Sequence, residues 1–174
     1  MTDRELAQQC LKGSRSAQQL LWKRYSATMY AVCRRYFNRD EDARDALQEG
    51  FIRVFNYLSQ WNEEGPLGAW MRRVMVNNAL NMVKSNVRRG IQQPIEQHEE
   101  AVNWDGGALT HLQAEDLIRL IQEMPEGYRT VFNLFAVEGY SHQEIAEMLE
   151  ITESTSKTQY HKAKCWLRAR LERK

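Results

Sequence analysis

From Gly65 to Ile95 the chain carries no acidic residue, and the stretch Gly65 to Gly90 inside that span reads as one long helix. Gly65-Pro66 is a start signal, because proline's fixed φ suits a first helical turn, and Gly90 is the expected C-terminal cap. Leu67, Met71, Val74 (or Met75) and Met82 recur at helical spacing and are expected to face a core. Arg73, Asn77, Asn81, Lys84 and Arg88 follow one another along another side, with Trp70 one turn before them. Such a helix suits nucleic acid: arginine and lysine meet phosphates, asparagine hydrogen-bonds base edges, and an indole stacks on an unpaired base. An ordinary solvated face with a tryptophan tucked beneath it accounts for the same residues equally well.

The rest of the chain narrows the choice. Its 174 residues suffice for one domain or two small ones, and the net charge of +1 hides an uneven distribution. Asp40 to Glu49 and Glu96 to Glu126 are acidic, whereas the Gly65 helix and the tail from Lys157 to Lys174 are basic. Cys10, Cys33 and Cys165 are odd in number and far apart, and no signal peptide is recognisable, which points to reduced thiols in a cytoplasmic protein. No apolar run is long enough to cross a membrane. His161 and Cys165 lie four apart on an expected helix, but without a second ligand pair they indicate neither a metal nor any other cofactor.

Helical patterns recur along the chain. Thr2 to Glu5 and Ser16 to Gln19 match the capping box, and Gly13-Ser14 separates a short helix from a long one with Leu21, Tyr25, Met29, Val32 and Tyr36 on one face. Asp40 is placed to cap a third helix, Glu41 to Leu58. Its core stripe is Ala43, Leu47, Phe51 (with Gly50), Val54 and Leu58; its other side carries Asp45, Gln48, Glu49, Ile52, Arg53 and Asn56. Ile52 is either a scattered surface residue or the apolar centre of a protein-docking face. After Gly90 come Pro94, glutamines, glutamates, the isolated Trp104 and Asp105-Gly106-Gly107, which read as an acidic flexible linker. The expected architecture is all-α: helical domains at 1–90 and 110–174, joined by a linker at 91–109.

In the second domain Thr110 and Gln113 suggest a cap, Leu117, Leu120, Ile121 and Met124 an inner face, and Pro125 a stop. A helix over Glu126 to Val137 is expected to bury Val131, Leu134 and Phe135. Ser141 to Glu144 is a third capping box and opens a short helix holding Ile145, Ala146, Met148 and Leu149. Glu150-Ile151-Thr152 then turns into a last helix, about Glu153 to Arg170. Two helices joined by a tight turn are a helix-turn-helix, whose second helix enters a major groove. The base-facing candidates are Ser154, Thr155, Lys157, Thr158 and His161, with Lys162 and Lys164 near phosphates.

These marks together resemble the extracytoplasmic-function sigma factors, the smallest group of bacterial RNA polymerase specificity subunits. Asp42 to Phe55 looks like the family's "DAeDlvQEvFlrlw" segment, and Ala69 to Asn78 like "aWLyrIarN". Met124 to Phe132 resembles "LPeeyReVf", and Glu138 to Ala146 resembles "eGlsyeEIA". The resemblance implies a protein that is not an enzyme and that binds core RNA polymerase and promoter DNA. Asp45, Gln48, Glu49, Ile52, Arg53 and Asn56 would dock on the β′ clamp helices, and the C-terminal domain would approach the β flap. Trp70, Arg72, Arg73, Asn77, Asn78, Asn81, Lys84 and Arg88 would hold the melted −10 strand, with one base flipped into a pocket near Trp70 and Asn77. The helix-turn-helix would read the −35 duplex. An anti-sigma factor is the usual family partner, and no membrane insertion is implied.

Two departures stand out. The family usually has glycine in the turn where this chain has Glu150, so the turn either avoids a left-handed residue or is strained. The family's "gTVKsrlhRAr" run appears as Ser154 to Lys164, with lysines for arginines and Ser156 for a valine; lysine lacks arginine's bidentate fork. A free-standing helix-turn-helix regulator is the alternative. A helical enzyme finds no support, since no acid–base carboxylate pair, nucleophile motif or phosphate loop is present.

Overall fold

The computed structural model describes residues 1–92 and 114–172, and among them every regular element is helical. The elements are α1 (Asp3–Leu11), α2 (Arg15–Arg34), α3 (Asp40–Tyr57) with a 3₁₀ turn at Leu58–Gln60, α4 (Leu67–Gln92), α5 (Ala114–Glu123), α6 (Glu126–Phe132) widening into a π-turn at Asn133–Val137, α7 (His142–Leu149) and α8 (Glu153–Leu171). Two compact units divide within α4, Met1–Met82 and Val83–Lys174. Of the expected linker at 91–109, residues 91–92 continue α4; the rest of it, Trp104 and the Thr110–Gln113 cap lie outside the described residues.

In the first unit the Thr2 capping box forms as expected, with the Glu5 carboxylate taking the Thr2 amide at 2.7 Å. The cap of α2 is Ser14 rather than Ser16: the Ser14 hydroxyl accepts from the Ala17 amide, and the turn is made by Gly13 at φ +80°. Asp40 is likewise not a cap. Arg39 takes that position without a side-chain bond, and Asp40, the first residue of α3, accepts from Tyr30 and Arg44. The Tyr25 hydroxyl donates to Asp3 at 2.6 Å, tying α2 to α1; burial first, then that bond, pushes its pKa up to about 12.

The expected stripes of α2 and α3 are buried, Tyr25 only partly. Each large apolar side chain so removed from water contributes about 1.5–3 kcal/mol before entropy. Along α4 the buried positions are Leu67, Met71, Met75, Val76, Ala79, Leu80, Val83 and Val87, while Met82 is 40% exposed. Met82 was expected inside; the buried stripe passes through its neighbour Val83 instead. The helix also continues through Gly90 to Gln92, so Gly90 is not its cap. At the start, Pro66 lends its carbonyl to the Ala69 and Trp70 amides. Gly50 leaves room for Met75 of α4: a Cβ there would lie 2.2 Å from the Met75 sulfur.

In the second unit Leu120, Ile121, Met124, Phe132, Ala163 and Leu167 form a core between α5, α6 and α8. Arg129 is buried and donates to the Gln122 and Met124 carbonyls, closing the C-terminal end of α5. Phe135 is only half-buried and stacks on the His142 ring at 4.2 Å. The Ser141 capping box forms, and Thr152 caps α8 by accepting from the Thr155 amide.

Candidate functional site

The polar side of α3 exposes Asp45, Gln48, Glu49, Asn56 and Ile52, the last 54% exposed. Arg53 lies 3.3 Å from Glu49 but turns elsewhere as well. With Tyr57 and Gln60 it forms one wall of a hollow of about 420 Å³, whose other wall is Trp70, Arg73, Val74, Asn77 and Asn78 from α4. The helical step from Arg53 to Tyr57 puts both on the edge that borders the hollow, with Arg53 beside Glu49 of the exposed face. Sequence reading did not single out Tyr57 (47% exposed) or Gln60. Their signal is spacing, since both continue the Arg53 edge into the 3₁₀ turn.

Adjacent asparagines on α4 have opposite environments. Asn77 is exposed at the mouth of the hollow. Asn78 is 2% exposed, and its amide nitrogen donates to the Ala46 carbonyl at 3.0 Å. Asn78, expected among the strand-binding residues, also lines the hollow, and its buried amide joins α4 to α3. The difference between the two asparagines is geometric: one residue is a 100° step. Trp70 and Arg72 are half-buried, and Arg73 and Asn81 are exposed. The hollow therefore joins an indole, a phenol, two guanidinium groups and three amides, the set that stacks on and hydrogen-bonds an unpaired base. The loop leading into α4 is held by the Trp61 indole, which donates to the Gly65 carbonyl, and passes through Glu63 at φ +63°.

Further along, Lys84 and Arg88 belong to the second compact unit and both pair with Glu150 in the turn before α8, Arg88 at 2.7 Å. Glu150 adopts φ 56°, ψ 46°, so the turn keeps the left-handed geometry without glycine. That conformation costs a side-chain-bearing residue about 1–2 kcal/mol. The carboxyl pKa lies below its usual value because Lys84 hydrogen-bonds it and, with Arg88, attracts it.

On α8, Ser154, Lys157 and Thr158 are exposed and Thr155, His161, Lys162 and Lys164 half-buried. Lys157 pairs with Glu153 at 2.6 Å, and Lys164 lies over the Tyr160 ring. Ser156 is fully buried with its hydroxyl 2.9 Å from His142 Nδ1, so this serine supplies a polar link between α7 and α8. Burial, then Lys157, holds the His142 pKa below 6.5. His161 Nε2 and Cys165 Sγ are 3.5 Å apart; among the described residues no cluster of three or more His, Cys, Asp or Glu side chains could hold a metal. Burial pushes the Cys33 thiol up to about 12. Among the described residues no helix is long and apolar enough to cross a membrane.

Two family models match in order: Sigma-70 region 2 over residues 21–89 and Sigma-70, region 4 over residues 114–167. The ECF RNA polymerase sigma-E factor of Haemophilus influenzae is 29% identical over 94% of this chain and 92% of its own length. That of Escherichia coli K12 is 27% identical over 94% and 91%. Among solved structures, the sigma factor RpoE of Bartonella quintana, in complex with the anti-sigma factor NepR, shares the fold with a TM-score of 0.52 at 15% identity, over 88% of this chain and 96% of that one. CnrH, solved with the cytosolic domain of CnrY, gives 0.50 at 20% over 98% and 97%. The chain belongs to the sigma-70 family and is a sigma factor of the extracytoplasmic-function type. Sigma factors are transcription initiation factors.

Proposed function

We propose that this sigma factor binds core RNA polymerase through the exposed face of α3 and opens promoters by capturing the melted −10 strand on α4. The observation that carries the reading is the hollow between α3 and α4, with Trp70 and Asn77 at its mouth and Tyr57 and Arg53 opposite. An unstacked base offers a π-face to the rings and a pairing edge to the amide, while Arg72, Arg73 and Asn81 line the path of the backbone. Asp45, Gln48, Glu49 and Asn56 surround Ile52 as a charged rim around an apolar centre, which suits docking on the polymerase clamp helices. Arg53, paired with Glu49, borders both the rim and the hollow, and Asn78 lines the hollow as well.

The helix-turn-helix reads the −35 duplex through the start of α8, with Lys162 and Lys164 on phosphates. On this scheme residues 1–90 bind polymerase and the −10 element, 91–109 link, and 110–174 bind the −35 element and the polymerase flap. An anti-sigma factor is the expected inhibitor. The deciding experiment is in vitro transcription with core polymerase and sequencing of the transcripts made. Discrete start sites that depend on this protein support the reading. Tight operator binding without polymerase, and no sigma-dependent start, would overturn it in favour of a free-standing regulator.

A further inference from the structure

Glu150 holds a left-handed backbone at the turn of the helix-turn-helix, a position that glycine fills without strain. Its side chain is engaged all the same: one carboxylate oxygen takes Lys84 Nζ and the other takes Arg88 Nη1 at 2.7 Å. Lys84 and Arg88 are four residues apart on one side of α4 and lie in the same compact unit as the turn. The carboxylate is 54% exposed, so a competing anion can reach the cations from solvent. Two anionic oxygens spread over an ammonium and a guanidinium are also what a DNA phosphate would present to the same pair.

We propose that Glu150 is a built-in competitor for the DNA backbone: in the free protein it occupies Lys84 and Arg88, and a phosphate of the captured strand must displace it. The proposal rests on the strand-capture reading and adds its regulation. Free protein would bind single strands weakly, with two cations withheld. Any partner that draws the turn away from α4 would release both at once.

The test measures fluorescence anisotropy of a short labelled DNA single strand with the full chain across a salt series. Glu150→Gln is expected to tighten binding by roughly tenfold at low salt and to steepen the log–log salt slope by about 0.7, the value for one added phosphate contact on a single strand. Glu150→Gly should do the same without loss of thermal stability. Glu147→Gln, the same charge change one turn earlier on α7, should shift affinity by less than about twofold. Lys84→Ala with Arg88→Ala should cancel the gain in the Glu150→Gln background. Equal gains from Glu147 and Glu150 would reduce the effect to net charge and overturn the proposal. So would no gain from Glu150→Gln while the Lys84/Arg88 pair still weakens the native protein, in which case strand capture survives. A Lys84/Arg88 variant that binds like the native protein in both backgrounds would sink strand capture at these positions together with the competitor.

Discussion

α4 and α8 are both basic helices proposed to meet DNA, yet they are built differently. α4 keeps a hollow beside it, lined by the exposed Asn77 and the buried Asn78. On α8 the inner polar residues Ser156 and Gln159 are buried, while Ser154, Lys157 and Thr158 on the outer side are exposed. A hollow lined by rings suits a base removed from its stack, while a convex polar helix suits the edges of stacked pairs. Charge is common to the two helices, and shape distinguishes them.

Four experiments press on that contrast, and one first checks the docking face that gives it meaning. Asp45→Lys with Glu49→Lys should weaken binding to core polymerase by about a hundredfold or more, since like charges juxtaposed at an interface cost several kcal/mol; circular dichroism should be unchanged because both residues are exposed. Unaltered co-purification would remove α3 as the docking helix. Asn78→Leu should lower stability by about 1–3 kcal/mol in denaturant melts, having lost a buried hydrogen bond. Asn77→Ala should leave the melt alone and slow promoter opening by about tenfold, the worth of a base-edge contact. If the two asparagine variants behaved alike, the distinction drawn at the hollow would fail.

On α8, Lys162→Ala should flatten the salt dependence of duplex binding by about one unit of slope, and an unchanged slope would strike it from the phosphate contacts. The smallest effect concerns His142. Its native pKa is depressed, so the unfolded chain binds more protons at mildly acid pH. The stabilisation is fully present above about pH 6.5 and declines as pH falls through the lowered native value. A Tm profile between pH 7 and 5 should therefore slope downward, and His142→Gln should flatten it. Equal slopes in the two proteins would show that the Ser156–His142 link does not sense protons.

Much of this was legible in the residues. The Thr2 and Ser141 capping boxes, the α3 stripe from Ala43 to Leu58 and the helix-turn-helix all follow from local periodicity and hydrogen-bonding chemistry, which act over a few residues. The sequence by itself determined an all-helical chain with an Asn-, Arg- and Trp-bearing helix and a later helix-turn-helix. Tertiary structure decided which face of α4 is buried, sending Val83 inward and Met82 outward. It separated Asn77 from Asn78, turned Arg53 toward the hollow, and gave Glu150 its two cations. The physical reason is that these depend on partners far along the chain: Ala46 for Asn78, Lys84 and Arg88 for Glu150. Local pattern gives a residue its helix and its angle around the axis, but what it meets there is set by packing.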